Sequence, residues 1–484
     1  MFGFLSFATD LTLTAGATFS AASTKIGGVV SVIETDRLGV TGTVALGDAA
    51  LDFQLNFTPE ANDQFLILAN DGTDPVVGTF AGLPQGGVLQ ARGDFLQIDY
   101  HGGDGNDVVL RPIQPVAPTI SANGRTATYT DEDGDLVTVR TSRGSFASEN
   151  FVFRPAGTHG EQQLQLLDLT TTAADFTNAN ITLTARITAG AGNALANLGV
   201  IRAPGVDLGN INIAGDLGHL EAASVKAMTV QSVGAFGLET QAFFSATLFS
   251  TLTGNLARLT VKTDIHDAKI IVGGSIGPVT VRGSFVGGQL SAGTALGAVN
   301  IHGDIVGTAA APVVISAFGK AVAPASGRDT AITSFTVGGG VEFLRLLGGY
   351  DPSGVAKNSD ASIGAITVGA DWRASTVLAG VEAGGDRFDG SADDRTIAAG
   401  TRNNSAIVAQ IGAIVIRGQA LGTATSSTDN FGIVAEQIAS ARIGANRFTF
   451  ATGPQSAADF FLISSTAAGA PGEVSDFNIL ESVL

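Results

Sequence analysis

Apolar residues in this chain rarely run in blocks. They recur two apart, in short groups separated by glycine. The clearest unit is a ten-residue phrase, apolar-Gly-x-apolar-x-apolar-x-Gly-(Asp/Ser)-apolar. It reads LGNINIAGDL at 208–217, IGPVTVRGSF at 276–285 and LGAVNIHGDI at 296–305. IGAITVGADW (363–372) and IGAIVIRGQA (411–420) each depart at one position, and LARLTVKTDI (256–265) is a degenerate copy. The starts at 256, 276 and 296 are twenty residues apart, near the period of a parallel β-solenoid.

Val279 and Val281 are two apart, so both point to one face of a strand. Gly277 and Gly283 stand where the chain must turn and a side chain would crowd the corner. One repeat cannot bury its apolar face alone; a stack buries a continuous core. Roughly ten repeats at about 4.8 Å each would make a rod on the order of 50 Å long. Parallel connections favour a right-handed coil. The expected fold is therefore all-β, a right-handed parallel β-helix (solenoid) preceded by a small β-sandwich-like or solenoid module.

Four segments are expected. Residues 1–110 form a β-rich terminal module, with alternating runs at 41–47, 50–57 and 94–100. RPIQPVAP makes 111–119 a Pro-rich linker. Residues 120–190 lead in and cap the stack; ATYTDEDGDLVTV (127–139) reads as two strands around an acidic turn. Residues 191–484 are the β-helix, interrupted by polar insertions at 318–329, 348–361 and 381–404. In solenoids such insertions gather on one side and form a functional face or simple decoration.

Composition narrows the function classes. The chain has 484 residues, 64 of them Gly, with 14% charged residues and a mean hydropathy of +0.30. No run of eighteen apolar residues occurs, so no transmembrane segment is expected. The net charge of −18 repels phosphate backbones and argues against nucleic acid. The absence of Cys excludes disulfides, zinc-thiolate sites and thiol catalysis. The composition suits an exported bacterial surface protein, yet the first basic residue is Lys25 and no signal peptide is visible. The expectation is an extracellular or cell-surface protein whose true start lies upstream.

The stretch VTGTVALGDAALDFQLNFTPEANDQFLILANDGTDPVVGTFAGLP, with the ending IDYHGGDGNDVVL, resembles a terminal module of large bacterial surface proteins that carry autotransporter-type β-strand repeats. From 120 onward, ATYTDEDGDLVTV, VGAFGLETQ, LTVKTDIHDAKI and IGAITVGADW resemble large β-helix proteins of planctomycete-like and verrucomicrobial genomes. The resemblance implies a capped passenger architecture and carries no activity.

Two calcium candidates stand out. GGDGNDVVL (102–110) fits the nonapeptide GGxGxDxUx, with Asp104, Asn106 and Asp107 as ligands. Such sites form between consecutive copies, and here there is one, so a Gly/Asp turn is the competing reading. DEDGD places Asp131, Asp133 and Asp135 at alternating positions around a glycine. It lacks the sixth-position Gly and twelfth-position Glu of an EF-hand, and an acidic hairpin turn competes with calcium. A third acidic loop carries Asp386, Asp389, Asp393 and Asp394, partly balanced by Arg387 and Arg395. Apart from calcium, no cofactor is expected.

Catalytic signatures are missing. None of the five histidines forms HExxH, and there is no Walker loop. One Trp and three Tyr offer few sugar platforms. Asp207, Asp216, Asp264, Asp267 and Asp304 recur at turns; they suit turn caps better than catalysis. His219 and His302, beside Gly-Asp turns, are expected to be exposed. The expected role is structural or adhesin-like, with a cell-surface or polysaccharide ligand and self-association through the solenoid ends. The alternatives are a polysaccharide-binding or polysaccharide-degrading β-helix, and a non-functional fragment of a longer surface protein.

Overall fold

The computed structural model describes residues 4–7, 11–12, 18–26, 32–35 and 37–482, apart from 71–72, 157–160, 189–191, 242–245, 386–388, 390–392, 399–401, 424–429, 452–459 and 464–476. Strand accounts for about 53% and helix for about 2%, which makes the protein all-β. Its main feature is a long, mostly parallel sheet of 32 strands.

That sheet follows one rule through its middle. Each strand pairs in parallel with the third strand along the chain. Leu259–Val261 pairs with Val279–Val281, then Leu296–Ile301, Asp329–Val337, Ala361–Val368, Gln410–Ile416 and Gln437–Ile443. A second file runs Ile265, Phe285, Ile305, Val341, Trp372, Ala420. A third runs Ile270, Leu290, Ile315, Leu346, Val377, Ile433, Ile479. All of these are at most 2% exposed. The period-two pattern of the sequence thus becomes three stacks of buried branched side chains, one from each strand of the repeat.

Gly277 and Gly283 sit at corners as expected, and the crowding comes from the preceding repeat. A Cβ on Gly277 would lie 2.0 Å from the Ala257 carbonyl oxygen. One on Gly283 would lie 2.2 Å from Asp264 Oδ1. Stacked backbones about 4.8 Å apart leave no room for a methyl group at these places.

The parallel stack starts earlier than 191. Gln162–Asp168 already pairs in parallel with Leu198–Ala203, and Ile181–Arg186 with Leu208–Ala222. Before it, Thr126–Thr130 and Leu136–Thr141 form an antiparallel hairpin, which closes the first end. At the other end Asn446–Phe448 folds back antiparallel on Gln437–Ile443, and Phe460–Ile463 on Phe477–Glu481. Both ends therefore carry antiparallel strands rather than a bare parallel edge.

The N-terminal module shares the three-file organisation. Phe4–Phe7, Arg37–Val40 and Phe65–Asn70 pair in parallel, as do Leu11–Thr12, Val44–Ala45 and Val76–Val77. Asp107–Ile113, Asp94–Gly102 and Val88–Ala91 then close it antiparallel. The supposed linker loses its first three residues, since Arg111–Ile113 continue a strand. It is also held: Gln162 Nε2 donates to the Val116 carbonyl at 2.8 Å, and Gln162 Oε1 accepts the Val116 N–H at 2.9 Å.

Candidate metal centre and loop-bearing corner

The acidic turn Asp131–Asp135 joins the two strands of the capping hairpin. The Asp131 N–H donates to the Asp135 carbonyl at 3.0 Å, and the Gly134 N–H to the Asp131 carbonyl at 3.2 Å. Gly134 takes a φ of 90°, which suits a residue without a Cβ. The tight turn gathers three carboxylates. One oxygen from each of Asp131, Asp133 and Asp135 lies within 4.8 Å of the others.

Their partners leave the cluster under-neutralised. Asp131 Oδ1 accepts the Asp135 N–H at 2.8 Å. Asp135 Oδ2 accepts the N–H groups of Asn193 (3.1 Å) and Ala194 (2.6 Å). Oδ1 of Asp133 and Oδ1 of Asp135 are buried with no hydrogen-bond partner, and Asp135 is fully buried. Burial first, and then the hydrogen bond to Asp133 and the neighbouring charges, push the Asp131 carboxyl up to about 7. Arg154 does not relieve this, because it pairs with Glu132 at 2.5 Å.

The donor set fits a hard cation. Calcium takes oxygens at about 2.3–2.6 Å, so its ligand oxygens lie within about 5 Å of one another. Waters could complete the six to eight oxygens calcium requires. Magnesium demands a smaller, near-octahedral shell, for which three carboxylates on one tight turn are less suited. A bound cation would neutralise like charges, and it would also strengthen the tie from the hairpin to 193–194, which leads into the first strands of the stack.

The nonapeptide residues are arranged differently. Asp104, Asn106 and Asp107 lie in an antiparallel hairpin turn, with Gly102 opposite Asp107. Asp104 is exposed. Asp107 Oδ1 accepts the Asn70 N–H at 2.8 Å, and Asn106 Nδ2 donates to the Asp74 carbonyl at 3.0 Å. Burial raises the Asp107 carboxyl, the Asn70 N–H opposes this, and Asp104 adds to it. The contacts of Asn106 and Asp107 fasten the turn to the end of Phe65–Asn70 and the residues after it.

The recurring turn aspartates form a file with neutral residues: Asp216, Ser232, Asp264, Ser284, Asp304, Gly340, Asp371, Gln419. Asp264 Oδ1 accepts the Ser284 N–H (2.6 Å), Ser284 Oγ the Asp304 N–H (3.1 Å), and Asp304 Oδ1 the Gly340 N–H (2.7 Å). Asp371 Oδ1 accepts the Gln419 N–H at 2.8 Å. Each cap satisfies the next repeat, and alternation keeps carboxylates from stacking on one another.

His302 is exposed as expected, but His219 is not. The segment 236–241 folds over it, and its Nδ1 lies 2.9 Å from Gln241 Oε1. His159 and Asp386 lie outside the described residues.

Spacing gave no hint of the ties between insertions. All three leave the stack after strands of the third file, and they meet at Asp329. This fully buried carboxylate receives Arg402 Nη1 at 2.9 Å and Asn358 Nδ2 at 2.9 Å. Arg402 also donates to the Lys320 carbonyl at 2.6 Å and lies 4.6 Å over the Phe318 ring. The Asn404 N–H donates to Asp360 Oδ1 at 2.8 Å, and its carbonyl accepts the Ile407 N–H at 2.8 Å.

Among the described residues, no helix is long and apolar enough to cross a membrane. Searches against known protein families, curated proteins and solved structures find no match to this chain.

Proposed function

We propose that this chain is a right-handed parallel β-helix that works as a stiff scaffold of a bacterial cell-surface or secreted protein, presenting loops for binding. Calcium held by Asp131, Asp133 and Asp135 would fasten its capping hairpin. The observation that carries this reading is the loop-bearing corner. Three insertions from successive repeats leave one side of the stack and are welded there by Asp329, Asn358 and Arg402, a preorganised surface on a rigid support. The preference of parallel crossovers supports the right-handed coil. The resemblance to large surface proteins supports the location. The role is read as non-enzymatic because the turn carboxylates from Asp264 to Asp371 are occupied as caps.

The test is an immunoblot of the source cells, with and without protease added to intact cells. The expected result is a band lost on external treatment. A band that resists protease until the cells are lysed refutes the surface reading.

A further inference from the structure

A cleft of about 410 Å³ opens on the stack, with Asp389 of the 381–404 insertion in its lining. Its wall crosses four successive repeats, from Pro312 beside Val313–Ala317, through Leu344–Gly348 and Thr376–Ala379, to Phe431–Ala435. Three spacings give it a length of about 14 Å, long enough for a short oligomer. Phe343 and Phe431, both half-buried, supply aromatic faces. Thr376 and Asn430 supply neutral polar groups. Arg345 and Asp389 form an ion pair at 2.8 Å within the lining, with the carboxylate mostly covered.

Phe343 is the telling residue. It stands at a corner where positive φ recurs, although Gly307, at the same corner one repeat earlier, does not adopt it. The corresponding corners carry Asp267 (φ 47°), Gly287 (φ 62°) and Ala374 (φ 44°), each sending its N–H to the next repeat in the same way. Phe343 adopts φ 49°. A bulky side chain is a genuine outlier in that region. A strained aromatic, kept at a glycine-favouring corner and lining a cleft, points to binding.

The chemistry selects the ligand class. Among the described lining residues, the guanidinium and carboxylate neutralise each other and no other charged group stands, which disfavours a charged ligand, and the net charge of −18 disfavours acidic polymers. The wall strands are paired on both sides, so no free edge exists for peptide augmentation. What remains is a ligand with apolar faces for aromatic rings and hydroxyls for a charged pair. We propose that this cleft binds a neutral oligosaccharide lying along the axis of the stack. The inference is separate from the calcium centre and does not depend on it.

Trp372, the only tryptophan, provides the readout. Its indole N–H donates to the Ser375 carbonyl at 2.9 Å, between the lining residues Ala374 and Thr376. The full chain is titrated with neutral gluco-, xylo- and manno-oligosaccharides to about 10 mM, following Trp372 fluorescence and heat of binding. Saturable binding to one neutral series is expected, weakened at least about tenfold in Phe343→Gly and Arg345→Ala. Phe343→Gly relieves the strained φ, so its unfolding temperature serves as the control for folding. Silence towards every neutral series, binding of oligogalacturonate instead, or undiminished binding by a folded Phe343→Gly protein each overturns the proposal.

Discussion

Removing calcium from the acidic turn should make the protein's stability depend on pH with an unusual sign. The Asp131 carboxyl is pushed from 3.8 to about 7 in the folded chain, first by burial and then by Asp133. Three units at about 1.36 kcal/mol each give about 4 kcal/mol. Proton sharing with Asp133 and solvent at the rim of the turn reduce this to on the order of 2 kcal/mol. The folded value lies above the unfolded one, so the metal-free contribution is complete below about pH 4 and is lost as pH rises to about 7. Calcium at this turn should reverse the trend, because it would bind the ionised carboxylates. At one hundred times its dissociation constant it adds about 2.7 kcal/mol. The assay is thermal unfolding from about pH 4 to 8, in chelator and in about 1 mM calcium, a concentration suited to extracellular sites. The unfolding temperature should fall with pH in chelator and recover with calcium above pH 7. Asp133→Asn should flatten both responses. Identical curves with and without calcium, or an undiminished calcium response in Asp133→Asn, would refute the reasoning.

Two further outcomes follow from the ties in the stack. Arg402→Ala strips the cation from fully buried Asp329 and should cost about 3–5 kcal/mol, read by chemical denaturation; a loss below about 1 kcal/mol would mean the corner is not welded. Asp304→Ala leaves the Gly340 N–H uncapped and should cost about 1 kcal/mol, whereas Asp304→Ser should recover much of it, since Ser284 performs the same task one repeat earlier; equal unfolding midpoints for the Ala and Ser variants would contradict the capping role.

The chain by itself determined what depends on near neighbours. Side chains two apart share a face, so VTV at 279–281 and VNI at 299–301 had to be strand, and a twenty-residue repeat had to stack against its own copy. The carboxylates of Asp131, Asp133 and Asp135 were legible for the same reason: a five-residue turn brings them together without help from elsewhere. The capping role of Asp264 and Asp304 also followed from the repeat, since the same turn recurs in each copy.

Tertiary structure decided what depends on distant segments. Asn106 and Asp107 of the nonapeptide are tied to Asp74 and Asn70, more than thirty residues away along the chain. His219 looked exposed beside a Gly-Asp turn until 236–241 folded over it. The Asp329–Arg402 pair spans 73 residues, and no local pattern links the two loops. The cleft beside Phe343 is built from four repeats, and only the corner geometry reveals that its aromatic occupies a left-handed position. Periodicity is a local property of the chain and can be read along it; insertion length sets which loops meet, and that is settled only when the repeats stack.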